Sequence, residues 1–230
     1  MTPLKIGDVT VGKVIELDRS ATPVGFMLPD ATPERIAAQR EWLGPELLDP
    51  ATGNHKATIQ SYIVRTPWHT IVIDTCVGND KPRNGQQPWH MRKGTYLEDL
   101  SAAGLKVEDV DLVVCTHLHV DHVGWNTRLE GGRWVPTFPR AKYIFARDEF
   151  EFWKKESEGG REEYGLIDDS VLPIVAAGRA ELVPSDYVID DRLQLEPSPG
   201  HTPGHVNVRL RTKAGEAVFT GDMMHRPILV

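Results

Sequence analysis

The sequence is poor in cysteine and has no long apolar run. Only two cysteines, Cys76 and Cys115, occur in 230 residues, and each lies in a short apolar stretch far from the other. This usage predicts two reduced, buried thiols in a cytoplasmic protein, although the sequence alone leaves one disulfide open. The apolar runs fall far short of the roughly 20 residues of a membrane-spanning helix, so no membrane partner is expected.

The chain also lacks an excess of positive charge. It has 26 Lys+Arg against 33 Asp+Glu, a formal net charge of -7, which argues against nucleic acid as a partner. The N-terminus shows no basic segment followed by an apolar one, so no signal peptide is expected. No repeat and no Pro/Gly/Ser-rich linker interrupts the chain. We therefore expect one domain over residues 1–230, with 1–56 as an N-terminal strand and helix extension of the core.

The order of apolar patterns predicts an α/β (α+β) fold, with strands towards both ends and helices between them. A strand or hairpin is predicted at 6–17, and Thr32-Pro33-Glu34 predicts a helix start, with its end near 44. The remaining predicted strands are 57–65, 70–74, 110–116, 141–146, 182–183, 193–196, 206–210 and 217–220. The remaining predicted helices are 95–103, 147–156 and 162–177, the last broken at Pro173.

Histidine is the informative residue type. Three of the nine histidines fall in the run His117-Leu118-His119-Val120-Asp121-His122, directly after the continuous apolar strand. In extended chain His117 and His119 point the same way, so they can bind one ion together. Asp121 and His122 serve either a second ion or the third donor position. Imidazole nitrogen with carboxylate oxygen favours zinc, and manganese, iron or cobalt remain open.

Two further clusters follow later strands. Pro199-Gly200-His201-Thr202-Pro203-Gly204-His205 is a tight loop in which His201 is the favoured ligand and His205 a supporting hydrogen-bond partner, although spacing alone allows the two to exchange. Thr220-Gly221-Asp222 offers a carboxylate able to bridge two ions. His225 follows, and it either donates a hydrogen bond to substrate, binds metal or packs at the surface.

These three clusters, in this order, resemble the metallo-β-lactamase superfamily, from about Ala57 onward. The resemblance implies a four-layer αββα sandwich that holds two metal ions, zinc being the expected metal, and it gives Asp74 a supporting role. The N-terminal segment and the stretch 121–127 resemble the branch of N-acyl-homoserine lactonases and methyl-parathion-type hydrolases, which often form homodimers. The resemblance implies this ligand set: His117, His119 and His201 on the first metal, Asp121 and His122 on the second, and Asp222 on both.

The sequence departs from the family pattern in two places. The family's last histidine, which completes the second metal site, has no counterpart in the eight residues after Asp222. Two alternatives follow from the resemblance: a truncated chain that lacks its C-terminal closing segment, or a weak second metal site. The related lactonases often carry Tyr three residues after the bridging Asp, where this chain has His225.

The resulting hypothesis is a metal-dependent hydrolase that directs a metal-bound hydroxide at a lactone, ester or phosphotriester. Asp121 would orient the nucleophile or accept its proton, and His225 would donate to the leaving group. One alternative is a thioester hydrolase of the glyoxalase II type, and another is a truncated metal-binding chain with little activity. The acidic charge disfavours a nuclease.

Aromatic side chains around the motifs either line an apolar pocket for a small-molecule substrate or pack in the ordinary way. They are Trp89, Trp125, Trp134 and Phe138. The histidines outside the motifs, His55, His69 and His90, are not expected to bind metal.

Overall fold

The structure, a computed structural model, describes residues 2–24, 30–39, 41 and 47–224. Two compact units are present: one joins the chain up to Glu16 with Gln60–Met223, and the other includes Leu17–Ile59. The motif residues from His117 to Asp222 all belong to the first unit, so that unit positions the site.

Twelve strands form the sheets within the described residues. In chain order they are β1 (Leu4–Ile6), β2 (Val9–Thr22), β3 (His55–Arg65), β4 (Thr70–Ile73), β5 (Leu112–Val114), β6 (Thr127–Glu130), β7 (Arg133–Pro136), β8 (Lys142–Ala146), β9 (Ala180–Val183), β10 (Leu193–Pro197), β11 (Val206–Thr212) and β12 (Gly215–Phe219). Seven make one sheet in the order β1-β2-β3-β4-β5-β8-β9, three make a second in the order β10-β11-β12, and β6 and β7 form a separate hairpin.

The two larger sheets pack face to face. Strands β4, β5, β8 and β9 run parallel, and β10 to β12 are antiparallel. Alternate residues point to opposite faces of a strand, so Ile71, Ile73 and Val114 turn one way and meet Leu195 and Val208 of the second sheet in a single apolar core. The parallel strands also present Val72, Val113 and Phe145, which are fully buried. Burial on both faces explains the continuous apolar pattern of these strands.

The described residues also form short helices. They are α1 (Pro33–Ala38), α2 (Tyr96–Ala102), α3 (Val120–Val123), α4 (Arg147–Glu158) and α5 (Leu172–Ala176), with a π-helical turn at Ile167–Val171 and 3-10 turns at Val107–Asp109, Gly124–Asn126 and Gly221–Met223. Helix α1 begins where expected, with Thr32 as its N-cap. Helix α4 packs against β8 and β9. No helix in the part of the chain that the structure describes is long and apolar enough to cross a membrane.

The fold-class prediction is confirmed: sheets with flanking helices form a sandwich. The prediction of two reduced, buried cysteines is also confirmed. The β6–β7 hairpin is absent from the sequence prediction, although its turn, Gly131-Gly132, has positive φ at both residues and is a known hairpin signal. The helix predicted at 162–177 begins late, because Gly165 adopts a left-handed φ of 69° just before the π-helical turn.

The smaller unit has its own apolar contacts. Val24 and Leu48 are buried there and pack with Ala31, Ile36 and Leu47. Residues 40 and 42–44 of the predicted helix lie outside the residues described.

Candidate metal centre

The three histidine and aspartate clusters lie in three separate loops of the first unit, each of which follows a strand. Residues 117–122 leave the end of β5 and enter α3, the loop 199–205 joins β10 to β11, and Asp222 lies in the 3-10 turn after β12. The backbone amide of Val206, the first residue of β11, donates to the carbonyl oxygen of Thr116 over 2.9 Å. This bond ties the second cluster to the strand end that carries the first.

Four side chains converge on one point. One donor atom each from His117, His119, His201 and Asp222 lies within 4.8 Å of all the others. Nδ1 of His119 is 3.0 Å from Nε2 of His117 and 2.8 Å from Nε2 of His201. The Asp222 Oδ2 atom is 3.3 Å from the same His201 nitrogen. The convergence predicted for His117 and His119 is present, although neither lies in a strand: His117 is in the bend after β5, and His119 precedes helix α3.

The chemistry of this donor set fits a divalent cation. Burial first, and the neighbouring histidines next, hold the pKa of His117 well below its ordinary value. The same causes lower the pKa of His119 to about 4. Both imidazoles are therefore neutral at pH 7, the form that binds metal. Three imidazole nitrogens and one carboxylate oxygen are ligands that zinc prefers. The residues present thus fit the metal that the motifs predict.

A second group adjoins the first through Asp222. Nε2 of His122 lies 3.3 Å from Oδ1 of Asp222 and 3.8 Å from Oδ2 of Asp121, so the two oxygens of Asp222 face the two groups. Burial lowers the pKa of His122, but Asp222, Asp74 and Asp121 outweigh burial and raise it well above its ordinary value. Three carboxylates around one imidazole favour a cation here, whether a proton or a metal ion.

Asp74 supports both groups from behind. It accepts hydrogen bonds from the amide of Thr116 over 2.8 Å and from the Thr116 hydroxyl over 2.9 Å, and its Oδ2 atom is 2.9 Å from Nδ1 of His122. The Thr116 hydroxyl lies 3.2 Å from Nδ1 of His117. Because that hydroxyl gives its proton to Asp74, it can accept from Nδ1 of His117, which leaves Nε2 as the nitrogen available to a metal.

Both ring nitrogens of His205 contact partners other than the donor atoms of the cluster. Its Nε2 atom accepts from the amide of Asp222 over 3.1 Å, and its Nδ1 atom lies 2.8 Å from the Ser198 hydroxyl. Burial lowers its pKa to about 4, in keeping with a neutral ring that accepts on one side. The structure therefore brings His201 to the cluster and gives His205 a supporting position. The role of the six predicted side chains as ligands stays a prediction.

The remaining sequence candidates have separate outcomes. His225, a predicted catalytic residue, lies outside the residues described. Trp125 and Phe138, offered as pocket walls, are buried, and Trp125 stacks on Tyr96 at 5.2 Å. His69 pairs with Asp190, and His90 accepts from the amides of residues 83 and 85.

One aromatic ring at the site was not predicted from the sequence. Trp153 of α4 packs edge-on against His119, with 5.2 Å between ring centroids, and its indole nitrogen donates to the buried Glu149. Both residues lie on a charged helix more than 25 positions from the first motif, and no local pattern marks them. Their spacing of four residues places them on one helix face, which is the only signal available.

Comparison with known proteins gives a consistent picture. The family model described as the metallo-beta-lactamase superfamily matches residues 57–229. An N-acyl homoserine lactonase of Bacillus cereus is 27% identical over 177 residues, which cover 70% of this chain and 62% of that protein. Metallo-beta-lactamase domain-containing protein 1 of Mus musculus is 30% identical over 183 residues, which cover 78% of this chain and 53% of that protein. The chain thus spans less than two thirds of these relatives.

Solved structures share the fold. A hydrolase of the beta lactamase superfamily, AbOPH, superposes with a TM-score of 0.75 at 24% identity and covers 97% of this chain and 74% of its own. The dizinc quorum-quenching lactonase AidC, solved with a product, superposes with a TM-score of 0.68 at 17% identity, covering 94% of this chain and 72% of its own. At these identities the likeness is evidence for the fold alone.

Proposed function

The chain belongs to the metallo-β-lactamase superfamily, and from that premise we propose that it is a zinc-dependent hydrolase that opens lactone rings. The observation that carries the proposal is the convergence of His117, His119, His201 and Asp222 on one point. The curated relatives named N-acyl homoserine lactonase support a lactone as the substrate class. Esters and phosphotriesters are the next substrates to compare, because hydrolysis of each needs a polarised oxygen and a water nucleophile.

Six side chains would hold two zinc ions. His117, His119 and His201 would bind the first, Asp121 and His122 the second, and Asp222 both, since its oxygens face the two groups. Bound zinc supplies a Lewis acid that polarises a carbonyl oxygen and lowers the pKa of water. Thr116 and Asp74 contact the other ring nitrogens of His117 and His122 and so orient these ligands. Ser198 contacts His205, which in turn accepts from the amide of Asp222.

Lactone hydrolysis adds water across one ester bond. The water oxygen bonds to the carbonyl carbon, the ring C–O bond breaks, and the ring oxygen takes up a proton and leaves as a hydroxyl group. Asp121 is 23% exposed, and we assign it the proton that the water gives up. His225 remains our candidate for protonating the ring oxygen. The Trp153 ring beside His119 offers an apolar wall to an acyl chain.

We also propose a cytoplasmic protein that acts on a small molecule, without nucleic acid or membrane as a partner. The two free, buried thiols support the compartment, and the net charge of -7 supports the absence of a nucleic-acid partner. A homodimer fits the resembled branch.

The test mixes the zinc-loaded 230-residue chain with an N-acyl-homoserine lactone. Ring opening is measured as the acid released at constant pH. We expect ring opening by the wild type and a loss of at least about a hundredfold in His117→Ala, since even partners of metal ligands are worth 10–100-fold. His69→Ala is the matched control, because His69 pairs with Asp190 outside the cluster, and it should keep wild-type activity.

Three results would contradict the proposal. Full activity in His117→Ala would remove the metal mechanism. Turnover of an aryl ester, a phosphotriester or a thioester in place of the lactone would keep the hydrolase and replace the substrate class. A zinc-loaded wild type that turns over none of these would identify a metal-binding chain without this activity.

A further inference from the structure

Glu149 is a buried carboxylate in the first turn of helix α4. It is 1% exposed, and it lies between the two loops that carry three of the predicted ligands. Leu118, on one side, separates His117 from His119. Gly204, on the other side, belongs to the loop of His201 and His205. No role follows for Glu149 from the sequence motifs, because helix α4 contributes nothing to them.

The carboxylate accepts three hydrogen bonds from neutral N–H donors. Oε1 accepts from the amide of Leu118 over 3.0 Å and from the indole nitrogen of Trp153 over 2.8 Å. Oε2 accepts from the amide of Gly204 over 2.9 Å. Hydrogen bonds to an ionised acceptor are about twice as strong as neutral ones. One side chain therefore joins both ligand loops and the aromatic ring that packs against His119.

Gly204 brings its loop directly onto the helix backbone. A Cβ atom at this position would lie 2.2 Å from the backbone nitrogen of Glu149 and 2.5 Å from its Cα. Backbone cannot move aside as a flexible side chain can, so only glycine fits here. The close approach fixes the distance between the loop and the Glu149 carboxylate.

The geometry of the acceptor requires a carboxylate. With glutamine, one of the two oxygens becomes an NH2 group, which faces an N–H donor across a hydrogen-bond distance. The orientation that keeps the bonds of Leu118 and Trp153 leaves the amide of Gly204 buried without an acceptor. A buried N–H without a partner is destabilising because it gives up its hydrogen bond to water and gains none in the protein, and the loop can avoid that cost by leaving the helix.

We propose that Glu149 is a positioning residue that sets the two ligand loops in register before metal binds. The inference rests on the proposed zinc-dependent function, but it concerns metal binding and not turnover. Rigid placement of ligands before binding increases affinity, because less ordering remains to be done when the ion arrives.

The experiment measures zinc affinity by chelator competition, the visible spectrum of the cobalt-substituted protein, and hydrogen exchange of the Leu118 and Gly204 amides without metal. In the metal-free wild type we expect both amides to be protected. In Glu149→Gln we expect faster exchange at Gly204, retained protection at Leu118, zinc affinity weakened by about 10-fold or more, and a changed cobalt spectrum.

Glu16→Gln is the matched control. Glu16 is also a buried carboxylate, and it accepts from the amides of Val77 and Gly78 and from the indole of Trp125. Its substitution therefore perturbs the same kinds of bonds without touching a ligand loop, and it also removes an ion pair with Arg92 over 3.6 Å. We expect Glu16→Gln to lower the free energy of unfolding in urea about as much as Glu149→Gln does. Its zinc affinity should equal that of the wild type. Trp153→Phe removes only the indole donor, and both backbone bonds of Glu149 should survive it.

Equal zinc affinities in Glu149→Gln and the wild type, with Gly204 exchanging freely in the variant, would overturn the proposal. So would free exchange of both amides in the metal-free wild type, a result that needs no variant at all. If the wild type binds zinc but opens no lactone, the proposed function fails while these measurements keep their meaning.

Discussion

The backbone amide of Asp222 donates a hydrogen bond to Nε2 of His205 over 3.1 Å. The bond joins the loop after β10 to the turn after β12, and it occupies the nitrogen that a metal would otherwise use. The other ring nitrogen lies 2.8 Å from the Ser198 hydroxyl. The geometry therefore separates two histidines that spacing alone leaves interchangeable: His201 turns its Nε2 atom to the donor cluster, and His205 orients the backbone of Asp222.

The first prediction compares these two histidines. His201→Ala removes a donor atom, and we expect zinc affinity to fall by more than about a hundredfold, beyond the 10–100-fold cost of losing a partner of a ligand. His205→Ala removes only the partner of Asp222, and its cost should stay within about 10–100-fold. Zinc competition against a chromophoric chelator measures both. A larger loss in His205→Ala than in His201→Ala would reverse our assignment.

The first metal-binding motif could be predicted from the sequence because its residues are close together along the chain. His117, His119, Asp121 and His122 fall within six positions, and the apolar strand before them predicts a sheet edge, so residue type and spacing suffice. The order of strands and helices likewise gave the fold class, because buried parallel strands and charged helices leave distinct patterns.

The supporting residues could not be predicted, because burial and partners at long range decide their roles. Glu149 belongs to a helix rich in charge, and only the fold shows that its side chain points inward. Lys81 and Arg83 are also fully buried, although lysine and arginine are rarely buried without a partner. Lys81 and Arg83 both form ion pairs with Asp169, which is more than 80 positions away. No local sequence pattern predicts that pairing.

The second prediction concerns Gly221, which directly precedes Asp222 and has φ of 47°. A Cβ atom there would lie 2.6 Å from the Thr116 hydroxyl and 2.7 Å from Nε2 of His205, so Gly221→Ala must displace two residues that position the cluster. We expect weaker zinc binding and a loss of unfolding free energy above the ~1–2 kcal/mol cost of a left-handed alanine. Urea unfolding without metal and chelator competition measure the two effects.

Gly104→Ala is the matched control for this glycine. Gly104 has a similar left-handed φ of 73°, but a Cβ atom there meets nothing within 4 Å. The control should therefore show the backbone strain alone, about 1–2 kcal/mol, with zinc affinity as in the wild type. Equal effects of the two substitutions on zinc affinity would show that crowding at Thr116 and His205 does not matter.

The third prediction concerns pH and Lys81, which lies away from the donor cluster. Its ammonium group donates to Thr127 over 2.8 Å and lies 3.3 Å from Asp169 and 3.8 Å from the centroid of the Trp134 ring. Burial lowers the pKa of Lys81 to about 7, although Asp169 opposes the shift. In the unfolded chain the pKa of lysine is about 10.4.

Between pH 7 and pH 10 the unfolded chain therefore binds more protons at this residue than the folded chain does. Linkage then makes the free energy of unfolding rise with pH, because the cost of burying the charge is fully present below the folded pKa and declines as pH rises from there towards the unfolded pKa. Lys81→Met removes this titration. Subtracting the variant from the wild type cancels the other groups, and we expect the difference to rise by about 1–2 kcal/mol from pH 7 to pH 8.5.

Urea unfolding at three pH values in this range, without metal, measures the difference. Lys154→Met removes a half-exposed lysine of α4 and controls for the change in net charge. The sign is the decisive feature. A difference that stays constant or falls as pH rises would mean that Asp169 and Thr127 keep the ammonium charged throughout, because pairing would then outweigh burial at this site.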